Sequence, residues 1–278
     1  MKKTTILRRM AEGGKCLIGM VHCLPLPGTL GHGGDMEKIY EKALADARTL
    51  EAAGFDAVIV ENTTDMPYAR SLSAGQLAAL AAVTRCVVQA VRIPVGVDAS
   101  FSDTPAALAA AYAAGARFVR SPAFVDTVQV TGLGSIGPCA QEVLHMRRQL
   151  GAQDIAVFAD VQVKHSHLVN PAVSLEESVQ AAADCGADAL IVTGLSTGLE
   201  TPMDTVCRAK QASKLPVIIG SGFKPETAAR QLAVADGAIV GSALKQGGII
   251  TAPVDAGLCR RMVQAVRGAC GETKEASL

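Results

Sequence analysis

The chain has 278 residues, of which 49% are hydrophobic, with 26 basic and 26 acidic side chains and a formal net charge of zero. That length fits one large domain or two small ones, and without a basic stripe or interleaved aromatics it argues against nucleic-acid binding, which draws on clustered Lys and Arg. No run reaches the roughly 18 uncharged apolar residues of a spanning helix, so no integral membrane segment is expected.

Aromatics are 3% of the chain and Trp is absent, so the core must be built mainly from Ala, Val, Leu and Ile. The eight cysteines include no CxxC pair, which removes the usual zinc-knuckle pattern. Lys2 and Lys3 lead into further charged residues and not into the apolar run of a signal peptide. A reduced, cytoplasmic protein is the expectation.

In chain order, residues 1–15 precede the first apolar run and are expected as an N-terminal extension, with a short helix across one end of the fold. Eight short, mostly β-branched runs follow: Leu17–Val21, Ala57–Val60, Pro94–Val97, Phe118–Arg120, Ile155–Ala159, Ala189–Val192, Pro216–Ile219 and Ala238–Val240. Their starts fall about 31 residues apart, the scale of one βα unit. Most lack polar alternation, as strands covered on both faces do. Between them lie Ala-rich segments with helical spacing. Met36–Ala53 carries Ile39, Ala43, Leu44, Ala47 and Leu50 on one face, Asp35 as its N-cap and Gly54 as its terminator. The same helix–Gly–strand ending recurs at 53–57, 114–118 and 185–189, and in a shorter variant at 234–238, so one unit repeats along the chain. No linker or composition shift divides it, and residues 271–278 read as a frayed tail.

Eight βα units build either an open doubly wound sheet or a closed (β/α)8 barrel. Open sheets usually carry a Gly-rich phosphate loop after the first strand. Here that loop reads His-Cys-Leu-Pro-Leu-Pro-Gly-Thr from position 22, and the best phosphate loops come last. That order points to a single (β/α)8 TIM barrel spanning 1–278, whose site lies at the carboxyl ends of the strands. The residues after each run are then the candidates: His22; Glu61, Asn62 and Asp65; Asp98; Arg120; Asp160, Lys164 and His165; Thr193 and Gly194; Gly220, Ser221 and Gly222; Gly241, Ser242 and Lys245.

The strongest local signal is the pair Gly220-Ser221-Gly222 and Gly241-Ser242, each read as strand, glycine turn, helical start. Glycine lets backbone approach a ligand closely, and N–H groups at a helix start suit an anion. Two such turns side by side are expected to hold one phosphate, with Thr193 and Gly194 adding small donors beside it. Tight strand exits explain the same glycines without a ligand. Asp160, Lys164 and His165 form the second signal, a carboxylate beside two groups able to move protons; a structural ion pair and a solvated loop are the alternative. Glu61 with Asn62, Asp98 and Asp160 bring further polar groups to one place. Three carboxylates there repel unless Lys164, Arg120, a protonated state, or a divalent metal with His22 as an extra ligand relieves them. Arg120 reads equally as a substrate clamp or as the partner of Asp98. His22 reads as an acid or base beneath a Pro/Gly-rich loop, or as a buried, hydrogen-bonded histidine. No cofactor is required by the pattern.

Together these residues resemble the BtpA/SgcQ family. The likeness rests on Ile18-Gly-Met-Val-His22 with Pro25-Leu-Pro-Gly28, Val60-Glu-Asn62 with Asp65-Met-Pro-Tyr68, and Pro94-Val-Gly-Val97. It continues through Phe118-Val-Arg120, Ala159-Asp-Val161 with Lys164-His-Ser166, Val192-Thr-Gly194 with Thr197-Gly198, Gly220-Ser-Gly222, and Asp236 to Ser242 with Leu244-Lys245. It covers nearly the whole chain in order. One departure is Asp98-Ala-Ser100, where many members have an Asn-rich exit from the third strand. The resemblance implies a phosphate-binding (β/α)8 barrel; the family takes its name from a factor needed for photosystem I accumulation, and other members accompany sugar-metabolism genes. The resulting expectation is an enzyme on a small phosphorylated ligand, a phosphosugar or phosphoribosyl compound, by isomerisation, epimerisation, aldol-type cleavage or hydrolysis. Asp160, Lys164, His165, Glu61 and His22 would be catalytic, and Asn62, Asp98, Arg120, Thr193, Gly194 and the two glycine turns would bind. The alternatives are a non-catalytic assembly or stability factor and a metabolite-sensing regulator. A homo-oligomer paired through outer helices is also expected.

Overall fold

The computed structural model describes residues 4–194, 198–269 and 271; of the tail expected over 271–278 all but residue 271 lies outside them, as do Lys2 and Lys3. Eight parallel strands close a barrel: β1 Cys16–His22, β2 Ala57–Glu61, β3 Val95–Asp98, β4 Phe118–Ser121, β7 Ala156–Asp160, β9 Ala189–Val192, β10 Val217–Ile219 and β11 Gly237–Val240. β1 pairs with both β2 and β11, which shuts the ring. Each barrel strand falls within one residue, at either end, of its expected run. β1, β2, β3 and β7 extend one residue further than the apolar pattern because His22, Glu61, Asp98 and Asp160 still belong to the ladder.

Helices alternate with these strands. α2, Met36–Ala53, begins where Asp35 accepts hydrogen bonds from the amides of Glu37 and Lys38, and ends at Gly54 with φ 98°. Ile39, Ala43, Ala47 and Leu50 are its buried stripe. That left-handed φ is open to glycine at little steric cost, so the helix stops there and the chain turns into β2. α3, Ala74–Ala90, carries a capping box from Ser73 and Gln76. α4 (Thr104–Ala114), α5 (Ala140–Gln149), α6 (Leu175–Asp184), α7 (Met203–Ala212), α8 (Ala228–Leu232) and α9 (Ala256–Ala269) complete the outer layer. α1, Thr5–Ala11, sets Ile6, Leu7 and Met10 into the same buried cluster as the barrel interior.

Strand side chains alternate between two cores, as the pleat requires. Val58, Val60, Val119, Val157, Val192 and Ile219 face the helices. Met20, Ile59, Phe118, Phe158, Ile191, Ile218 and Ile239 fill the barrel. Phe118 and Phe158 stack there with centroids 4.7 Å apart. A Cβ on Gly96 would lie 2.3 Å from the Phe118 ring, so this strand position must be glycine for the ring to fit. The interior is therefore a packed core, and truncating either Phe to Ala is expected to cost about 3–5 kcal/mol.

One feature has no counterpart in the sequence reading. β5 Val128–Val130, β6 Gly134–Ile136 and β8 Ser166–Leu168 form a separate antiparallel sheet in the order β6-β5-β8. It joins the loop after β4 to the loop after β7, with Gln129 opposite His167. A second difference lies after β11. No α-helix starts at Ser242; a 3-10 turn covers Ser242–Leu244, and α9 begins only at Ala256.

Candidate active site

Two residues beyond the last interior apolar side chain of a strand, the same inward face reappears one layer higher. Met20 is followed by His22, Ile59 by Glu61, Phe118 by Arg120 and Phe158 by Asp160. Ile191 is followed by Thr193, Ile218 by Gly220 and Ile239 by Gly241, while Gly96 leads to Asp98. The strand period of two thus converts eight separate strand ends into one ring at the carboxyl end of the barrel.

A cavity of 1370 Å³ opens above this ring. His22, Glu61, Asp98, Arg120, Lys164, His165, Gly220, Ser221, Gly222, Gly241 and Ser242 all line it. Val130, Thr131, Ser166 and His167 of the small sheet and its flanks make one wall, and Tyr68, Ser100, Lys224, Lys245 and Arg261 contribute elsewhere. Asn62, Thr193, Gly194 and Asp160 do not line the cavity. Asn62 is fully buried, its Oδ1 accepting from the Ser100 amide at 2.8 Å and its Nδ2 donating to Asp65 at 2.9 Å. Asp65 also accepts from the amide of Leu26 and from Gln76, so this network ties the loops after β1 and β2 together. Thr193 accepts from the Lys164 amide at 3.0 Å, and the Gly194 amide donates to Ser221 Oγ at 2.8 Å.

Asp160 is the fourth. Its two oxygens accept from Arg120 Nε and Nη2, each at 2.8 Å, a bidentate pair with both side chains buried. Arg120 Nη1 reaches Asp98 Oδ2 at 3.6 Å. Arg120 therefore sits between carboxylates as their counter-charge, the role a metal ion would otherwise fill. Among the described residues no group of three or more His, Cys, Asp or Glu side chains is placed to share a metal ion.

Glu61 and His22 form a second buried unit. His22 Nε2 lies 3.3 Å from Glu61 Oε2, and Ser100 Oγ donates to Glu61 Oε1 at 2.9 Å. Lys245, 2% exposed, lies with Nζ 3.1 Å from His22 Nδ1 and also donates to the carbonyl of Ile250. A protonated amine can only donate. It fixes Nδ1 as the acceptor and leaves the ring proton on Nε2, facing Glu61. Burial lowers the pKa of His22, against the pull of Glu61, which favours the neutral ring. Burial raises Glu61, but the His22 and Ser100 hydrogen bonds and the Arg120 charge outweigh it and keep the carboxylate ionised. Burial and the nearby Lys42 bring Lys245 down to about 8. Lys245 is held in place by a bridge to Val254, whose amide donates to the buried Asp46 on α2.

Across the cavity, burial and the Arg120 charge lower Lys164. His165, at φ 61°, is exposed as a residue, and partial desolvation of its ring together with the Lys164 charge lowers its pKa. Burial and the charge of Glu61 raise Asp98 well above the usual carboxylate range. At the glycine turns, Ser221 Oγ is occupied by the Gly194 amide and the Leu199 carbonyl, so this hydroxyl is not directed at a ligand. Gly222 has φ 65°, and a Cβ there would stand 2.1 Å from the Leu199 carbonyl oxygen.

The sequence marks Lys245 as a candidate beyond β11 without a role, and Ser100 and Tyr68 have none; the partners of Lys245, His22 and Ile250, are 223 and 5 residues away in sequence. Ser100 and Tyr68 lie beyond strand ends in loops, where strand-end counting does not reach.

A closed ring of eight parallel strands with helices outside, and a charged cavity at the carboxyl ends of those strands, defines a TIM-barrel protein. The model of the BtpA family matches residues 13–268, and the chain belongs to the BtpA family. An uncharacterised protein of Pyrococcus abyssi is 38% identical over 264 residues, covering 95% of this chain and 100% of its own length. The photosystem I biogenesis protein BtpA of Synechocystis is 34% identical over 242 residues, covering 86% and 83% respectively. Among solved structures, (S)-3-O-geranylgeranylglyceryl phosphate synthase from Thermoplasma acidophilum, in complex with sn-glycerol-1-phosphate, superposes with a TM-score of 0.62 at 16% identity, over 96% of this chain and 100% of that one. At that identity the likeness is one of fold.

Proposed function

We propose that this protein is an enzyme acting on a small phosphorylated metabolite of the phosphosugar or phosphoribosyl kind. The observation that carries the reading is that the two glycine turns and the acid–base groups line one and the same cavity. The phosphate would rest against the backbone of Gly220–Gly222 and Gly241–Ser242, with Lys224 and Arg261 as side-chain counter-charges. Backbone N–H groups suit this role because they hold an anion without needing to be charged themselves. Glu61 with His22, and Lys164 opposite, would move a proton on the part of the ligand that reaches the charged ring. That is the step common to isomerisation, epimerisation, aldol-type cleavage and glycosidic hydrolysis. The fold neighbour that holds sn-glycerol-1-phosphate supports the phosphate half of this reading by analogy only.

Thermal unfolding in the presence of inorganic phosphate, ribose 5-phosphate and glycerol 1-phosphate tests it. A ligand at a hundredfold its Kd stabilises the folded state by about 2.7 kcal/mol. Ser242→Asp, which sets a negative charge at the second turn, is expected to abolish the effect. Absence of stabilisation by any of these compounds, or equal stabilisation of Ser242→Asp, overturns the reading.

The name of the Synechocystis relative, a photosystem I biogenesis protein, favours a second reading, a non-catalytic biogenesis factor. It predicts that Lys164→Ala and Glu61→Gln complement a Synechocystis strain lacking its own BtpA as well as the unaltered chain does. The enzymatic reading predicts that both fail.

A further inference from the structure

Three carboxylates and one guanidinium meet at the ends of β2, β3, β4 and β7, and their hydrogen bonds are unequally shared. Both oxygens of Asp160 accept from Arg120. One oxygen of Glu61 is satisfied by Ser100 and the other faces His22. Asp98, directly in register with Glu61 on the neighbouring strand, receives much less. Arg120 Nη1 stands 3.6 Å from its Oδ2, beyond hydrogen-bond range, and its Oδ1 has no hydrogen-bond partner among the described residues. Asp98 lines the cavity but is only 2% exposed, and its Oδ1 is itself buried, so this oxygen takes no donor from the surrounding protein.

An ionised carboxylate in that position would be buried, short of donors and one strand away from an ionised Glu61. Burying such a charge unpaired is among the most costly events in a folded protein, and a group so placed takes up a proton instead. The charged and titratable groups that face Asp98 are Glu61 on β2, Arg120 on β4, Asp160 on β7, Lys164 after β7 and Tyr68 after β2. We infer that Asp98 is held as an un-ionised carboxylic acid and presents a hydrogen-bond donor to the ligand at the charged end of the cavity.

Two adjacent carboxyl groups with opposite protonation states divide the work between them. Glu61 can only accept, and Asp98 can donate. The ligand group that fits between them is an acceptor oxygen, of carbonyl or ether type, next to a hydroxyl or acidic C–H. This substrate class rests on the phosphorylated-metabolite reading above; the protonation state of Asp98 does not, because it belongs to the ligand-free protein.

The test uses the full chain with 13C-labelled aspartate carboxyls, followed by NMR from about pH 3 to pH 8, with Asp98 assigned by the resonance missing in Asp98→Asn. A resonance in the protonated position at pH 7 is expected. The folded-state pKa is raised, so the stabilisation it brings is complete below the unfolded value near 3.9 and is lost as pH rises toward the folded value. The unfolding constant of the unaltered protein relative to Asp98→Asn should therefore grow about tenfold per pH unit between pH 5 and pH 7. A resonance that titrates with the ordinary aspartates near pH 4, or a flat ratio over that range, overturns the inference. If Asp98→Asn does not fold, the unaltered protein decides alone: no aspartate carboxyl in the protonated position at pH 7 sinks it.

Discussion

Replacing Asp160 by Asn probes how the charged ring is held. The substitution keeps the shape of the side chain, removes its charge and turns an NH2 group toward an Arg120 N–H that now donates to oxygen at 2.8 Å. Arg120 is 5% exposed and the Asp160 side chain 0%, so water cannot replace the lost acceptor. Removing one partner of a buried pair costs about 3–5 kcal/mol, because the remaining charge stays buried. Asp98, 3.6 Å from Nη1, can release its proton and take over part of the role. That places the expected loss near the lower end, about 3 kcal/mol. At about 2–4 °C per kcal/mol, the melting temperature falls by roughly 6–12 °C. The comparison is Asp154→Asn. Arg117 and Asp154 meet at 2.9 Å, almost the same distance, but their side chains are 57% and 51% exposed. Such a pair contributes at most about 1 kcal/mol. Urea unfolding of both variants at one pH reads the contrast. A loss below about 1 kcal/mol for Asp160→Asn, or equal losses for the two, refutes the view that burial of this pair organises the site.

Two further outcomes follow from the same geometry. Gly222→Ala would drive a Cβ to within 2.1 Å of the Leu199 carbonyl at a φ of 65°, so a loss of at least about 2 kcal/mol is expected, while Gly33→Ala, which meets nothing within 4 Å, is expected to stay within about 1 kcal/mol; urea unfolding of the pair checks this, and equal losses would count against the close approach. Lys245→Met removes both the positive charge that lowers the His22 pKa and the donor to Nδ1, so His22 should titrate at a higher pH in that variant, read from its ring resonances by NMR; an unchanged or lower value would mean that Lys245 does not set the protonation of the ring.

The architecture was legible because it depends on periods that a linear chain displays. Apolar runs recur at the length of one βα unit, Gly54 and Gly115 stop α2 and α4 in left-handed conformations, and the polar residue after each run marks a strand end. Those signals are local, so eight strand ends and their residues could be read without coordinates. The small sheet of β5, β6 and β8 was not legible. Its strands are three residues each, too short to show a period, and β5 and β8 pair across more than thirty intervening residues. The turn after β11 departs from the expected helical start, since only a 3-10 turn follows Gly241 and α9 begins at Ala256.

What the sequence determined alone was which side chains stand at the top of the barrel, since the strand period of two places them there whatever surrounds them. What the tertiary structure decided was their division of labour. Asp160, Glu61 and Asp98 are equivalent as residues at strand ends, yet one is clamped by Arg120, one is shared between His22 and Ser100, and one is left short of partners. Hydrogen bonds and Coulomb forces act over a few ångströms between residues 39 to 223 positions apart, and only closure of the barrel sets those distances.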